Sequence, residues 1–403
     1  MKDLKHLYYF ENLLQDAHND LVKQACDEGK LAIGYTCYHI PEVLLNLDNC
    51  FSVRLRAPRS GAVDIATYYL SSYLCGYCKA LLERGIEGGY NFLSAFMAGE
   101  TCSEMNRCVE HFDILKLGTG KFFTSIIDMP FKTDEHCIQQ YKDQLKTKVL
   151  DKLHEVYGVD VSSDAIRKAV EIHNEVCKII TEIGEFRKEE YPRITGYEYH
   201  ILNLVTYACP KYLIVDKLRE TLEEIKTRVP DKKKPRARIA VVGSEMDDAD
   251  FTKLMEDSGA YVCFDRYCFG STPGREVIEL KDDEDPLYTI SKHYMKTSQC
   301  PRYMEQAKVH GRKQFVADKV KEFKADGVVY EQLKFCEFWG YERALASYIM
   351  NNEYNIPSIA IDRQYTASAS GQLRTRIQAF VESLEIKKIQ KNKKAKENNE
   401  EAK

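Results

Sequence analysis

Residues 31–55 read LAIGYTCYHIPEVLLNLDNCFSVRL, and this stretch decides the fold class. Leu31–Thr36 is an apolar run of strand length, Pro41–Leu47 a candidate helix, and Phe51–Leu55 a second short apolar run. Proline suits a first helical turn, where its missing N–H has no bond to lose. Strand, helix and strand in close succession build a parallel sheet covered on both faces.

Outward from this stretch the alternation continues. Gly29 stops a polar amphipathic N-terminal helix. A helical stretch runs over Tyr68–Arg84 to the glycines of EGGY, and Phe92–Met97 and Phe123–Asp128 supply two more strands. From Thr133 to Thr227 the pattern changes to long charged amphipathic segments. In Asp164–Ile180 the residues Ile166, Ala169, Val170, His173 and Cys177 form one helical stripe, on which His173 reads as a core histidine. Pro230–Arg238 (PDKKKPRAR) is a charged linker bounded by prolines.

Beyond the linker come strand Arg238–Val242, helix Asp248–Asp257, strand Tyr261–Asp265, helix Gln314–Lys324, strand Gly327–Leu333, helix Tyr341–Asn351, strand Ser358–Asp362 and helix Gly371–Leu384. The chain thus divides into an N-terminal helix (1–30), a first α/β domain (31–132), a helical subdomain (133–230), a second α/β domain (237–385) and a charged tail (386–403). That tail buries too little apolar surface to stay ordered.

A length of 403 residues suffices for two such domains without staples. The formal charge of −4, with no basic stripe interleaved with aromatics, speaks against a nucleic-acid partner. No apolar run is long enough for a membrane span, and the N-terminus lacks the apolar core of a signal peptide. A cytoplasmic, reducing setting is expected, in which the 14 cysteines are buried thiols and metal ligands, not disulfides. Cys177, Cys209 and Cys263 lie in apolar surroundings and read as small core residues.

Three others sit where an open α/β sheet presents a ligand, beyond the carboxyl ends of strands. Cys102 follows Phe92–Met97, Cys336 follows Gly327–Leu333, and Cys75 opens the amphipathic stretch Cys75–Arg84. Together they can hold one inorganic centre with a position left open. Cys75-Gly-Tyr-Cys78 alone is a weak CxxC, open to a redox pair, half a zinc knuckle or chance, and Cys102 and Cys108 stand too far apart for a knuckle half. VVGSEMDDAD at 241–250 lacks the glycines of a dinucleotide fingerprint, and no P-loop occurs.

Seven segments in order carry a family resemblance: AIGYTCYHIPEVLL, CGYCKALLERGIEGGY, GETCSEMNRCVEHF, DRYCFGSTPGRE, CPRYMEQAKVHGR, DGVVYEQLKFCE and GQLRTRIQAF. With these the chain resembles the 2-hydroxyacyl-CoA dehydratases (2-hydroxyglutaryl-CoA dehydratase D-component type) and class I benzoyl-CoA reductases. It is most similar to the smaller, β-type subunit. The resemblance implies two flavodoxin-like (Rossmann-like) parallel-sheet domains plus a helical part, and a 4Fe–4S cluster held by Cys75, Cys102 and Cys336. Cys37 stands near the position from which relatives with a larger double cluster supply an extra ligand.

By resemblance the function is removal of water from a 2-hydroxyacyl-CoA thioester through a ketyl radical. One electron comes from a separate ATP-hydrolysing activator and is returned at the end. A homologous second subunit, or a second copy, completes a dimer. Alternatives are a benzoyl-CoA reductase-like or double-cubane-type reductase, and a cluster-carrying accessory subunit without substrate chemistry. The latter is motivated by PEVLLNLDNC at 41–50, where the family shows P-E-E-x-x-x-A-A-G.

Glu42 and Tyr38, just past the first strand, are the candidate catalytic residues. Either orients or deprotonates substrate, with a desolvated Glu42 tuned toward neutral pH; equally, Glu42 is a helix N-terminal acid favoured by the macrodipole. Arg54 and Arg56 share a strand face and are candidates for CoA phosphates or for ordinary salt bridges. Cys268, Gly270, Arg275, Cys300 and Arg302 fall in loops near substrate or partner, or in plain turns. Arg374 and Arg376 are expected to pin the last helix across the sheet.

Overall fold

The computed structural model describes residues 1–58, 63–365 and 370–401. Two four-stranded parallel sheets form the frame. The first comprises β1 (Leu31–Tyr35), β2 (Cys50–Arg54), β3 (Ala95–Gly99) and β4 (Phe123–Ile127), in the order β2-β1-β3-β4. The second comprises β5 (Ala237–Glu245), β6 (Ala260–Cys268), β7 (Gly327–Leu333) and β8 (Ser358–Arg363), in the order β6-β5-β7-β8. The two orders are the same, so each sheet reverses its winding between its first and third strands. Such a reversal opens a crevice at the strands' carboxyl ends.

The strands β3 and β7 are buried along their whole length, as parallel strands covered on both faces must be. Gly243 of β5, which opens no dinucleotide loop, has a local packing role. A Cβ there would stand 2.4 Å from the side chain of Glu331 on the neighbouring strand. Glu331 in turn accepts from Arg363 and Ser244 inside the sheet.

Helices α1 (Leu7–Leu13) and α2 (Asp20–Asp27) precede the first sheet, where the sequence suggests one helix over 1–30. Asn19 breaks the run by capping α2, accepting from Leu21 N and Val22 N at 3.1 Å each. The helix expected at Pro41–Leu47 is a single 3₁₀ turn, Glu42–Leu45, because the Asn46 amide folds back onto Glu42 O at 2.7 Å. The stretch Tyr68–Arg84 is divided into α3 (Ala66–Tyr69) and α4 (Gly76–Ile86). Glu83 of α4 reaches back to cap α3 at Ala66 N, 2.7 Å away. Strand β3 starts at Ala95, later than Phe92, because a turn closes from Leu93 N to Tyr90 O. α5 (Ser103–Ile114) follows it.

The helical region holds α6 (Glu135–Leu145), one π turn, α7 (Asp151–Tyr157), α8 (Ser163–Glu185), α9 (Gly196–Ala208) and α10 (Lys211–Thr227). Its apolar stripe is continuous with that of the first sheet in one core, while the second sheet carries a separate cluster on each face. Around the second sheet lie α11 (Asp250–Asp257), α12 (Pro286–Thr297), α13 (Gln306–Glu322), α14 (Glu337–Asn352) and α15 (Ser370–Glu401). The sequence reading has no helix at α12, although Asp285 caps it and Pro286 opens it. The segment expected as a disordered tail continues α15 to Glu401. It is rich in Lys and Glu, which favour helix, and holds no glycine or proline; its last two residues lie outside the described ones. No helix among the described residues is long and apolar enough to cross a membrane.

Candidate functional site: three thiols at helix N-termini

Cys75, Cys102 and Cys336 are the N-cap residues of α4, α5 and α14. Cys102 lies three residues past the end of β3, and Cys336 three residues past the end of β7. Since β3 and β7 hold the same place in their sheets, the two thiols are equivalent points of a repeated architecture. None of the three side chains makes a capping hydrogen bond. Three helix N-termini therefore bring their positive ends and three sulfurs to one region.

The lobes meet around these thiols. Ser103 Oγ donates to Glu337 Oε2 at 3.2 Å, tying the first turn of α5 to that of α14. Gly76, next to Cys75, lies against the second lobe: a Cβ there would stand 2.7 Å from Tyr365 Cβ. Tyr73 packs edge-on against Phe335, ring centroids 5.9 Å apart. Phe335, just before Cys336, has φ of 70°, a conformation that bulky residues adopt only under constraint.

The thiols differ in acidity. A hydrogen bond from the Cys78 thiol lowers Cys75 against its burial, helped by the N–H groups of Cys78 and Tyr77. Cys78 is correspondingly raised, by that bond and by burial. Burial raises Cys102, and the charges of Glu104, Cys336 and Cys75 raise it further. Burial also raises Cys336, followed by the charge of Cys75. The three thus sense one another. Among the described residues, no three His, Cys, Asp or Glu side chains are drawn together tightly enough for a single metal ion. A polynuclear cluster asks for something else: its cysteine sulfurs are held apart by the width of the cluster. Three soft sulfur donors at converging helix N-termini fit an iron–sulfur group by donor type and charge.

The other expected residues fall elsewhere. Glu42 is buried, accepting from Lys211 Nζ at 2.7 Å and Tyr35 O–H at 2.9 Å, with His173 Nδ1 3.3 Å away. Burial opposes its ionisation, but Lys211 and then His173 outweigh that and hold it well below the carboxylate range. This is the opposite of tuning toward neutral pH. His173 is the core histidine expected: burial lowers it, yet Cys177 and Glu42 hold it up to about 9. Lys211 lies 169 positions from Glu42, and nothing in the sequence signals their contact.

Tyr38 donates to or accepts from Thr297 Oγ1 at 2.6 Å and stacks on Tyr294 at 5.0 Å. Cys37 lines a cavity with Cys268 and Cys300. Arg54 and Arg56 turn inward, Arg54 to Thr36 O and over the Phe269 ring, Arg56 to Asp247 O and Leu14 O. Arg275 binds Asn203 within the protein, and Arg302 binds the carbonyls of Met129 and Pro130. Arg376 pins α15 to β8 through Ala360 O, as expected, whereas Arg374 is exposed.

A family profile described as 2-hydroxyglutaryl-CoA dehydratase, D-component, matches residues 37–384. The (R)-phenyllactyl-CoA dehydratase beta subunit of Clostridium sporogenes is 23% identical, covering 93% of this chain and 97% of its own. The lactoyl-CoA dehydratase subunit beta of Anaerotignum propionicum is 22% identical, covering 90% and 95%. A benzoyl-CoA reductase subunit of Thauera aromatica is 18% identical, covering 89% and 92%.

Proposed function

Because the chain belongs to the 2-hydroxyglutaryl-CoA dehydratase D-component family, we propose that it is the iron–sulfur subunit of an (R)-2-hydroxyacyl-CoA dehydratase. The supporting observation is the placement of Cys75, Cys102 and Cys336 at three helix N-caps between the lobes, two of them at equivalent points of the two sheets. When bound, a 4Fe–4S cluster supplies a one-electron carrier with an iron open to an oxygen ligand.

The chain's residues supply the rest. The hydrogen bonds to Cys75 at the start of α4 favour its thiolate, whereas burial holds Cys102 and Cys336 toward the thiol until a ligand takes them. The Ser103–Glu337 and Gly76–Tyr365 contacts set the distance between the lobes. Glu42, tied to Lys211, anchors the turn after β1 on the helical region, and Tyr38, on that turn, lines the cavity beside Arg266. The Tyr38 hydroxyl orients the substrate. A separate ATP-hydrolysing activator delivers the electron. A homologous subunit or a second copy covers the exposed aromatic surface made by Tyr73, Phe335 and the α14 row Tyr341, Leu345 and Tyr348.

The test is anaerobic reconstitution followed by iron and sulfide counting and electron paramagnetic resonance. About four irons per chain and their loss in Cys336→Ala are expected. A colourless, iron-free protein, or a full cluster in Cys336→Ala, sinks the reading. Turnover with substoichiometric electrons supports dehydration, and net electron consumption makes the protein a reductase instead. Failure to bind acyl-CoA leaves only an accessory role.

A further inference from the structure

Glu342, buried on α14, is shared by a group of buried cations. Arg312 Nε and Nη2 donate to it at 3.1 and 3.0 Å, and Lys313 Nζ donates at 3.0 Å. Arg266 lies in the field of this group. It is 2% exposed, makes no ion pair among the described residues, and its Nε has no hydrogen-bond partner. The contacts that relieve its charge are the carbonyl of Gln299 and the face of Trp339, 5.3 Å away. Three buried cations therefore face one carboxylate. Buried charge without a counter-charge is strongly disfavoured, so a fold that keeps it calls for an anion from outside.

Of this group Arg266 borders a cavity of about 40 Å³ that reaches the half-buried Thr272 and Pro273 and is lined also by Arg54, Cys268, Cys300 and Ser298. Arg54, also buried, lines the same cavity; its Nη2 has no hydrogen bond and lies 3.7 Å from Glu245 Oε2. Burial pushes the Cys300 thiol up to about 11 and raises Cys268 well above its ordinary value, so these sulfurs do not neutralise the arginines. A single water needs only ~10–15 Å³ of such space, so the cavity admits a group of a few heavy atoms.

We propose that this cavity is a binding site for a small anion of carboxylate size, held by Arg266 and Arg54. Trp339, which lines it, lies three residues past Cys336, so the anion binds next to the thiol triad. The carboxylate is either a free small anion or the far end of a dicarboxylic acyl group; the second source rests on the function proposed above.

The test uses the metal-free full chain, so the anion site and iron incorporation are read separately. Thermal unfolding is followed during titration with sodium formate, ionic strength being held with a bulky organic sulfonate. A saturable rise in Tm is expected. Arg266→Met should raise Tm without formate and weaken the formate response at least about tenfold, the loss usual for a buried charge contact. Cys300→Asp, which brings a carboxylate to the lining, should raise Tm and abolish the response, and it serves if Arg266→Met does not fold. Formate competing with a dicarboxylic hydroxyacyl-CoA but not a monocarboxylic one assigns the acyl source; equal indifference of both assigns a free anion. No saturable response in the parent protein, or a response unchanged in both variants, overturns the proposal.

Discussion

Replacing Glu42 by Gln tests whether this residue is an anchor or a proton-transfer group. In the fold its side chain is 6% exposed and that of its partner Lys211 is 1% exposed. The change keeps the shape of the side chain but leaves Lys211 Nζ with only the Thr206 carbonyl, 3.0 Å away, as a strong partner. It also removes the negative charge beside His173. Removing one member of a buried pair costs ~3–5 kcal/mol, because the remaining charge is stranded. The double variant Glu42→Gln/Lys211→Met should recover much of that loss. Urea unfolding followed by circular dichroism at pH 7 measures both. The pH dependence has a definite sign. Glu42 is depressed below its ordinary value of 4.5 in the fold, so its contribution is present above that pH and fades as pH falls below it. The gap between parent and Glu42→Gln should therefore narrow on acidification from pH 6 to pH 3. A cost under ~1 kcal/mol at pH 7, the range of an exposed pair, or a gap independent of pH, refutes the reasoning.

Other outcomes follow from single contacts. Gly76→Ala puts a Cβ 2.7 Å from Tyr365 Cβ, and should destabilise by ~1–3 kcal/mol and lower iron uptake; uptake equal to the parent's would show that the lobes do not need this approach. In metal-free protein Cys75 should react with iodoacetamide faster than Cys102 near pH 7.5, since only Cys75 is lowered; peptide mass spectrometry reads the order. The His173 ring, held up to about 9, should show the chemical shifts of an imidazolium at pH 7.5, and neutral-ring shifts would contradict the Glu42 contact. Asp285→Ala removes the cap of α12 and the ion pair to Lys142, for a loss of ~1 kcal/mol in a denaturant melt.

The legible parts of this fold were those written in local pattern. The apolar run Gly327–Leu333 is strand β7 from end to end, and the stripe of Asp164–Ile180 lies within α8, because strand and helix periodicity act over a few residues. Where a side chain bonds to backbone within or beside its own segment, apolar spacing does not show it. Asn46 cut the helix after Pro41 to one turn, and Glu83 divided Tyr68–Arg84 and so left Cys75 at a helix start. The site was partly legible for the same reason. A cysteine after an apolar run can be seen in sequence, but the Tyr365 backing Gly76 cannot.

By itself the sequence determined that the chain builds two parallel α/β sheets and that Cys75, Cys102 and Cys336 stand at segment starts. Both follow from near-neighbour forces: apolar spacing, turn residues and the chain reversals they enforce. Only the tertiary structure decided that the three starts converge, that Glu42 is neutralised by Lys211, and that Arg266 is buried without a counter-charge. Those depend on charges and contacts between residues far apart in the chain, whose energies are set by burial and distance once the lobes have closed.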